Sequence, residues 1–243
     1  MRDYESEFQK RVAWIRDLVK SARAGGVVFG NSGGKDSALV GILCKAACDK
    51  TVGVILPCGS KRNYGADAAD ARALAEAYGI ETRTIDLSPT REALMAALGG
   101  EETLSDAAKI NLAPRLRMTT LYTIGQSENR LVAGTGNRSE IYMGYFTKWG
   151  DGASDFNPIA DLCATEVFEF LRFLNAPASI VEKAPSAGLY EGQTDEKEMG
   201  VTYRAIDAFL LQGEVNDADK AVIDRYHGRS EHKRRPISTF ENP

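Results

Sequence analysis

Histidine and paired cysteine are what this sequence has least of. Only His227 and His232 occur in 243 residues, and the four cysteines, Cys44, Cys48, Cys58 and Cys163, form no CxxC pair. The usual Cys/His spacing of a zinc site is therefore missing, as is a thioredoxin-like redox pair. Cys44 and Cys48 fall one helical turn apart and could share a ligand face, but the histidines lie far along the chain, so buried thiols are the expectation. No apolar run approaches the length that spans a bilayer, and the charged opening MRDYESEFQKRVAWIRDL does not read as a secretory signal. Both point to a cytoplasmic protein with no membrane partner. Positive charge is not in excess either: a net charge of −4 argues against nucleic acid as the main partner. With 43% hydrophobic and 26% charged residues, and no internal repeat, one globular domain over 1–243 is expected.

What is present is an alternation of strand-like and helix-like segments. Phe8, Val12, Ile15, Val19 and Ala22 recur at helical spacing and stop at Gly25-Gly26. Val27–Phe29 reads as a strand and Ala38–Cys48 as a helix. Thr51–Leu56 is a second strand, Ala66–Tyr78 an alanine-rich helix, and Glu81–Asp86 a third strand. Pro89–Leu98 and Ala113–Ser127 look helical, the latter with Pro114 in its first turn, and Arg130–Ala133 makes a fourth strand. Helices are expected again at Thr165–Leu174, Val201–Leu211 and Asp217–Tyr226, while the glycine-rich stretch 143–158 reads as an ordered or ligand-gated loop. The alternation predicts an α/β fold: a doubly wound, mostly parallel sheet flanked by helices in three layers. Ligands of such sheets collect at the carboxyl ends of the strands, where loops starting at Gly30, Pro57 and Gly134 would converge.

The first of these loops carries the chemistry. In VVFGNSGGKDSALV, residues 27–40, a strand ends in a glycine turn that opens directly into a helix. Backbone amides and the helix dipole then point at one spot, which suits an anion. Gly33 and Gly34 permit the tight turn and the close approach of a phosphate, and Ser32 and Ser37 add hydroxyls. Two glycines alone would more often be a plain turn, but Asp36 changes the reading. A carboxylate inside a phosphate cradle repels the ligand unless a divalent cation lies between them, which suggests Mg²⁺ bridging protein and triphosphate. The GK[ST] ending of a Walker A loop is missing, because Lys35 precedes Asp36-Ser37.

SGGKDS resembles the SGGxDS loop of ATP pyrophosphatases, enzymes that cleave ATP between the α and β phosphates. A second block, LVAGTGNRSEIYMGYFTKWGDGASDFNP, has Ser139 where the third glycine of a GxGxxG fingerprint belongs, which argues against an NAD-dependent oxidoreductase. It is similar instead to the GTxNxSE…GYFTKYGDGxxD stretch of NAD synthetases. NLAPRLRM (111–118), PSAGLYEGQTDEKEMGVTY (185–203) and EHKRRP (231–236) match that family in the same order, so the resemblance covers nearly the whole chain.

The resemblance implies an adenine nucleotide alpha-hydrolase-like fold and the reaction deamido-NAD + ATP + NH₃ → NAD + AMP + PPi. It implies an ATP site formed by Gly30, Ser32, Gly33, Gly34, Lys35, Asp36, Ser37, Thr135 and Ser186. Asp36 and Glu140 would be the catalytic acids that hold Mg²⁺, and Arg115, Lys148, Asp155, His232 and Lys233 would bind deamido-NAD. Taken without the family, Glu140 reads as an exposed helix glutamate, Thr135 and Ser186 as turn or cap hydroxyls, Arg115 as a solvated charge, Lys148 and Asp155 as a surface pair, and Lys233 as part of a basic tail. Tyr145, Phe146 and Trp149 could stack on a nicotinate or adenine ring or simply pack their loop. One departure stands out: after NPIADL the family usually has a lysine, and here Cys163-Ala164-Thr165 supplies none. Either Lys35, Lys61 or Arg62 provides that charge, or ATP binding and turnover are weaker.

A glutamine-dependent enzyme would need an amidase domain with its own cysteine nucleophile, so free ammonia is the expected nitrogen source, and the resemblance implies a homodimer. Two other readings remain at this point. Another ATP pyrophosphatase, amidating or thiolating a nucleobase, would share the glycine loop; a non-catalytic nucleotide-binding module would bind ATP without releasing pyrophosphate.

Overall fold

The computed structural model describes residues 2–59, 64–183 and 194–240. Four parallel strands, β1 (Gly26–Gly30), β2 (Thr51–Ile55), β3 (Glu81–Thr84) and β4 (Arg130–Ala133), form a sheet in the order β3-β2-β1-β4. The register pairs Val28 with Val52 and with Val132. Because β2 lies on one side of β1 and β4 on the other, the winding direction reverses at β1. The crevice beyond the carboxyl ends of β1 and β4 is the topological switch point where such folds receive ligands.

Alternation along β1 separates the two faces. Val27 and Phe29 join one core with Ile15 of α1 (Tyr4–Ser21), Leu39 and Leu43 of α2 (Lys35–Ala47), Leu74 of α3 (Ala66–Tyr78) and Phe170 of the later helix Ala164–Phe173. Val28 turns the other way, to Val52, Val54, Val132 and the long helix that spans Asp106–Ser127. Each such fully buried aliphatic side chain contributes about 1.5–3 kcal/mol. Helices thus cover both faces, as the sequence alternation predicts.

After α4 (Ser88–Ala97) and a 3-10 turn at Glu101–Thr103 comes α5 (Asp106–Ser127). Its start corrects the sequence reading: Ser105 caps the helix by accepting from the Ala108 amide at 3.3 Å, and Pro114 lies well inside it, not in its first turn. A true N-cap serine outweighed the weaker rule that proline opens helices. The remaining helices are α6 (Arg138–Met143), α7 (Ala164–Phe173), α8 (Ala178–Val181), α9 (Asp195–Met199), α10 (Tyr203–Gln212), α11 (Asp217–Arg229) and α12 (Glu231–Arg234). Met143, Met199, Ile206 and Ile223 form a third apolar cluster from α6, α9, α10 and α11, and it holds those short helices beside the crevice. All four cysteines are free thiols, and Cys44, Cys58 and Cys163 are buried. Among the described residues, no helix is long and apolar enough to cross a membrane.

Phe29 sets the spacing between sheet and α2. A Cβ on Gly41 would come within 2.6 Å of the Phe29 ring, and one on Gly53 within 3.1 Å. Gly41→Ala improves helix propensity by about 1 kcal/mol, but overpacking costs about 1–3 kcal/mol. Urea unfolding is expected to show net destabilisation in the wild-type background and none, or a gain, in Phe29→Leu, where the ring edge is gone.

Candidate active site

The loop after β1 is held from below. Gly33 has a left-handed backbone (φ +73°), and a Cβ there would come within 2.1 Å of the Asp67 carbonyl oxygen. That backbone is the tight turn expected from the sequence, and the missing side chain also lets α3 approach the loop. Asn31, buried, donates from Nδ2 to the Ala71 carbonyl at 2.9 Å. Lys183 Nζ reaches Asp67 Oδ1 and Asp70 Oδ2, both at 2.7 Å, and the Gly33 carbonyl at 3.4 Å. Within the loop, Ser32 Oγ lies 3.0 Å from Ser37 Oγ and accepts from the Gly34 amide at 3.2 Å. Helix α2 has no side-chain cap, and its first intrahelical bond runs from the Ala38 amide to the Gly34 carbonyl. The amides of its first turn face the crevice as an anion-binding end.

This end opens into a cavity of about 940 Å³ that β1, β2, β4, α5, α6 and the 143–158 segment wall in. Of the expected ATP residues, Gly30, Ser32, Gly34, Lys35, Asp36, Ser37 and Thr135 line it, and Gly33 does not. Ser186, and the charge candidates Lys61 and Arg62, fall outside the described residues. Lys35, the third charge candidate, is in the wall, and its Nζ lies 5.6 Å from the centroid of Phe168, one turn after Ala164 on α7.

Asp36 and Glu140 come together although 104 positions separate them. Asn137, fully buried, is the link: its Nδ2 donates to Asp36 Oδ1 at 3.0 Å while its Oδ1 accepts from the Glu140 amide at 3.0 Å. Glu140 Oε2 in turn accepts from the Asn137 amide at 3.0 Å, completing a capping box at the start of α6. Burial, and then the like charge of Asp36, raise the Glu140 carboxyl well above the ordinary range, with the Lys35 ammonium opposing them. A carboxylate pair held this close calls for a cation. Among the described residues no group of three or more His, Cys, Asp or Glu is gathered for a metal. Two carboxylates therefore fit Mg²⁺, which keeps waters and takes its other oxygens from phosphates, better than a metal caged by protein alone.

The residues expected to bind the dinucleotide divide. Lys233 lines the cavity, its Nζ held by the Gly144 carbonyl at 2.8 Å and the Phe146 carbonyl at 2.6 Å. Burial lowers its pKa, and Asp151, whose own pKa burial raises, opposes this. Arg115, Lys148, Asp155 and His232 do not line it. Arg115 Nε points to the Lys148 carbonyl at 3.4 Å, Lys148 Nζ to the His232 carbonyl at 2.7 Å, and Asp155 Oδ2 accepts from the Val132 amide at 2.8 Å beside β4. Tyr145 and Phe146 reach the cavity, whereas Trp149, 59% exposed, lies over a separate depression with Met118 and Tyr122. The 143–158 segment is ordered by turns such as Thr147 N to Asp151 Oδ1 at 3.0 Å, and Thr147 Oγ1 donates to Asn111 Oδ1 at 2.5 Å.

Sequence reasoning missed several wall residues. Arg117 lines the cavity, donating from Nε to the Leu56 carbonyl at 2.9 Å, and burial lowers its pKa. The signal was available: Ile110, Asn111, Pro114, Arg117, Met118 and Leu121 recur every three to four residues on one face of α5. Arg115, two residues away, projects about 200° around the helix from Arg117. Asn137, Asp195 and Lys183 carried no such local signal. Asn31 is notable for its oxygen: among the described residues, only Asn31 Oδ1 and Arg11 Nε are buried side-chain polar atoms with no hydrogen-bond partner. An acceptor left open on a cavity wall suits a donor group on a ligand.

The raised carboxyl of Glu140 has a definite sign. Its charged form is disfavoured in the folded chain, so its contribution to stability is full below the ordinary carboxyl range and declines as pH rises toward its raised value. Glu140→Gln keeps an oxygen acceptor without the charge. The ligand-free variant is expected to be more stable than wild type by roughly 0.5–2 kcal/mol at pH 8, with little difference at pH 4, in denaturant titrations at the two pH values.

The chain is similar to known proteins along almost its whole length. Residues 7–238 match the NAD synthase family. A Carboxydothermus hydrogenoformans protein named NH(3)-dependent NAD(+) synthetase is 45% identical over 96% of both chains. A solved structure described as NMN synthetase from Francisella tularensis superposes with a TM-score of 0.93 at 41% identity, covering 100% of both chains. The NH3-dependent NAD synthetase from Campylobacter jejuni, solved in complex with the nitrate ion, gives 0.80 at 28% identity over 99% of this chain and 100% of that one. A glycine loop at the switch point, two acids joined through Asn137 and a match that runs almost end to end place this chain in the NAD synthase family.

Proposed function

We infer that this chain is an ammonia-dependent NAD synthetase, a ligase that amidates deamido-NAD to NAD while cleaving ATP to AMP and pyrophosphate. The observation that carries the reading is the meeting of Asp36 and Glu140, through Asn137, at the mouth of the glycine loop. A nicotinate carboxylate cannot be displaced by ammonia directly, because oxide would have to leave. Its oxygen first attacks the α-phosphorus of ATP, and pyrophosphate departs with the electron pair of the bond that breaks. Ammonia then attacks the acyl-adenylate carbonyl, loses a proton, and AMP leaves.

This chain's residues serve that sequence by position and charge. The amides of Ser32–Ser37 and the α2 dipole hold the triphosphate, and Asp36 and Glu140 would hold Mg²⁺. Bound there, the metal would neutralise the phosphates and the pyrophosphate that leaves. Thr135, just after β4, also lines the cavity, and Arg117, Lys183 and Lys233 add positive charge around an anionic substrate pair. The cavity brings carboxylate and α-phosphorus together, and bound substrates would shield the acyl-adenylate from water. No protein nucleophile is required.

A second acceptor is favoured by specific observations. The Francisella tularensis structure that superposes at 0.93 is described as an NMN synthetase, and four of the five residues expected for the dinucleotide lie off the cavity wall. Under that reading the substrate is nicotinate mononucleotide and the chemistry is unchanged. Under the dinucleotide reading we place Arg115, Lys148 and His232 at a homodimer interface that includes α5, where they would meet the adenylate half. The exposed Trp149 on that side supports such an interface.

Purified protein given ATP, Mg²⁺, ammonium and either acceptor tests both readings. Equal amounts of amidated product and AMP are expected, and ADP in place of AMP would reject the bond cleavage. The ratio of kcat/KM for deamido-NAD to that for nicotinate mononucleotide decides the acceptor. Asp36→Asn is expected to lower kcat by roughly 10²–10³-fold with the melting temperature preserved, and glutamine alone should give no product. Sedimentation at micromolar concentration is expected to show a dimer; a monomer would remove the interface proposed for Arg115 and Lys148.

A further inference from the structure

Lys35 occupies the variable position of the SGGKDS loop and is the first residue of α2, yet it is only 6% exposed. Its Nζ lies 2.5 Å from Asp36 Oδ2, and the ring centroids of Tyr203 and Phe168 stand 5.4 and 5.6 Å from it. The Tyr203 hydroxyl donates to Asp195 Oδ2 at 3.1 Å, so ring and carboxylate are fixed to each other. Asp195 is 4% exposed, and both it and Glu140 lie within electrostatic reach of the ammonium. Burial pushes the Lys35 pKa down, but Asp36, Glu140 and Asp195 outweigh it and leave the group charged.

An enclosure of carboxylates and aromatic faces is what a compact, strongly hydrated cation needs once its water is removed. Here the cation is part of the chain. It stands against the same carboxylate, Asp36, that the reading above gives to the metal. Without it, Asp36 and Glu140 would repel each other more strongly, at a site where nearby unit charges interact by several kcal/mol at an effective dielectric constant of about 20.

We propose that Lys35 is the resident counter-cation of these two acids: its ammonium occupies the cation seat beside Asp36 and Glu140, so that a divalent metal binds only together with a triphosphate. When metal and nucleotide arrive, the ammonium swings on its flexible four-carbon stem to the phosphate oxygens at the start of α2. Lys35 thus belongs to the ordering of binding as well as to the ATP site. The inference rests on the reading of Asp36 and Glu140 as metal-holding acids, and it is independent of which acceptor is amidated.

Titration of Mn²⁺ into nucleotide-free protein, with free Mn²⁺ read by electron paramagnetic resonance, tests it. Wild type is expected to bind Mn²⁺ at least about tenfold more weakly than Lys35→Met, because the variant leaves the acids without their charge partner. A non-hydrolysable ATP analogue should tighten Mn²⁺ binding to wild type by at least about tenfold and to the variant by less. A merely structural role for Lys35 predicts the opposite, a variant with weaker metal binding. Nucleotide-free wild type that binds Mn²⁺ as tightly as Lys35→Met, or as tightly as it does with the analogue, would overturn the proposal. Should Lys35→Met not fold, Lys35→Gln carries the same expectation, and the wild-type comparison with and without analogue still decides. No acceptor or ammonium is present, so a failure of the amidation reading appears in the product assay and not here.

Discussion

The close approach of Gly33 to the carbonyl of Asp67 is the constraint on which the site depends. No side chain fits between them, so the loop after β1 rests directly on the first turn of α3. Asn31 and Lys183 secure the same contact, one through the Ala71 carbonyl and the other through Asp67, Asp70 and the Gly33 carbonyl. Fixed there, the loop presents the N-terminus of α2 to the crevice at a set angle. Anion binding by backbone amides needs this rigidity, because a mobile loop would have to be ordered by the ligand at a cost in affinity.

The second half of the site is held by burial of polar groups that satisfy one another. Ser139, fully buried, gives its hydroxyl hydrogen to Asp207 and accepts from the Ala164 amide at 3.1 Å, and Asp207 Oδ2 accepts from the Thr165 amide at 2.7 Å. These bonds join α6, α7 and α10, and Asn137 carries the connection on to Asp36. Glu140 therefore sits where the fold places it, against its own preference for solvent, with burial and the charge of Asp36 holding its carboxyl above the ordinary range even though the Lys35 ammonium opposes them. Strain of this electrostatic kind is common where charge must be ready for a ligand.

Several features were legible from local pattern because their causes are local. The boundaries of β4 and α3 follow from β-branched content and alanine-rich periodicity, and the order of strands and helices led directly to a three-layer parallel sheet. The short helices α6, α8, α9 and α12 escaped notice because four to six residues are too few to show a period. The start of α5 was misjudged because proline is a conspicuous signal and Ser105 a quiet one. Motif matching located the glycine loop, Thr135 and Glu140, all of which line the cavity, but it also selected Arg115 and passed over Arg117.

The sequence by itself determined the strand–loop–helix that makes an anion site, the acid set within it, and the family, since each is written in a few adjacent residues. Tertiary structure alone decided which cations face the cavity, that Gly33 yields space to α3, and that Lys35 turns inward onto Asp36. The physical reason is the range of the contacts. A helix face, a carbonyl 34 positions along the chain, or the Phe168 and Tyr203 rings that other helices bring to Lys35 fix where a side chain ends, and no short window of sequence contains both partners.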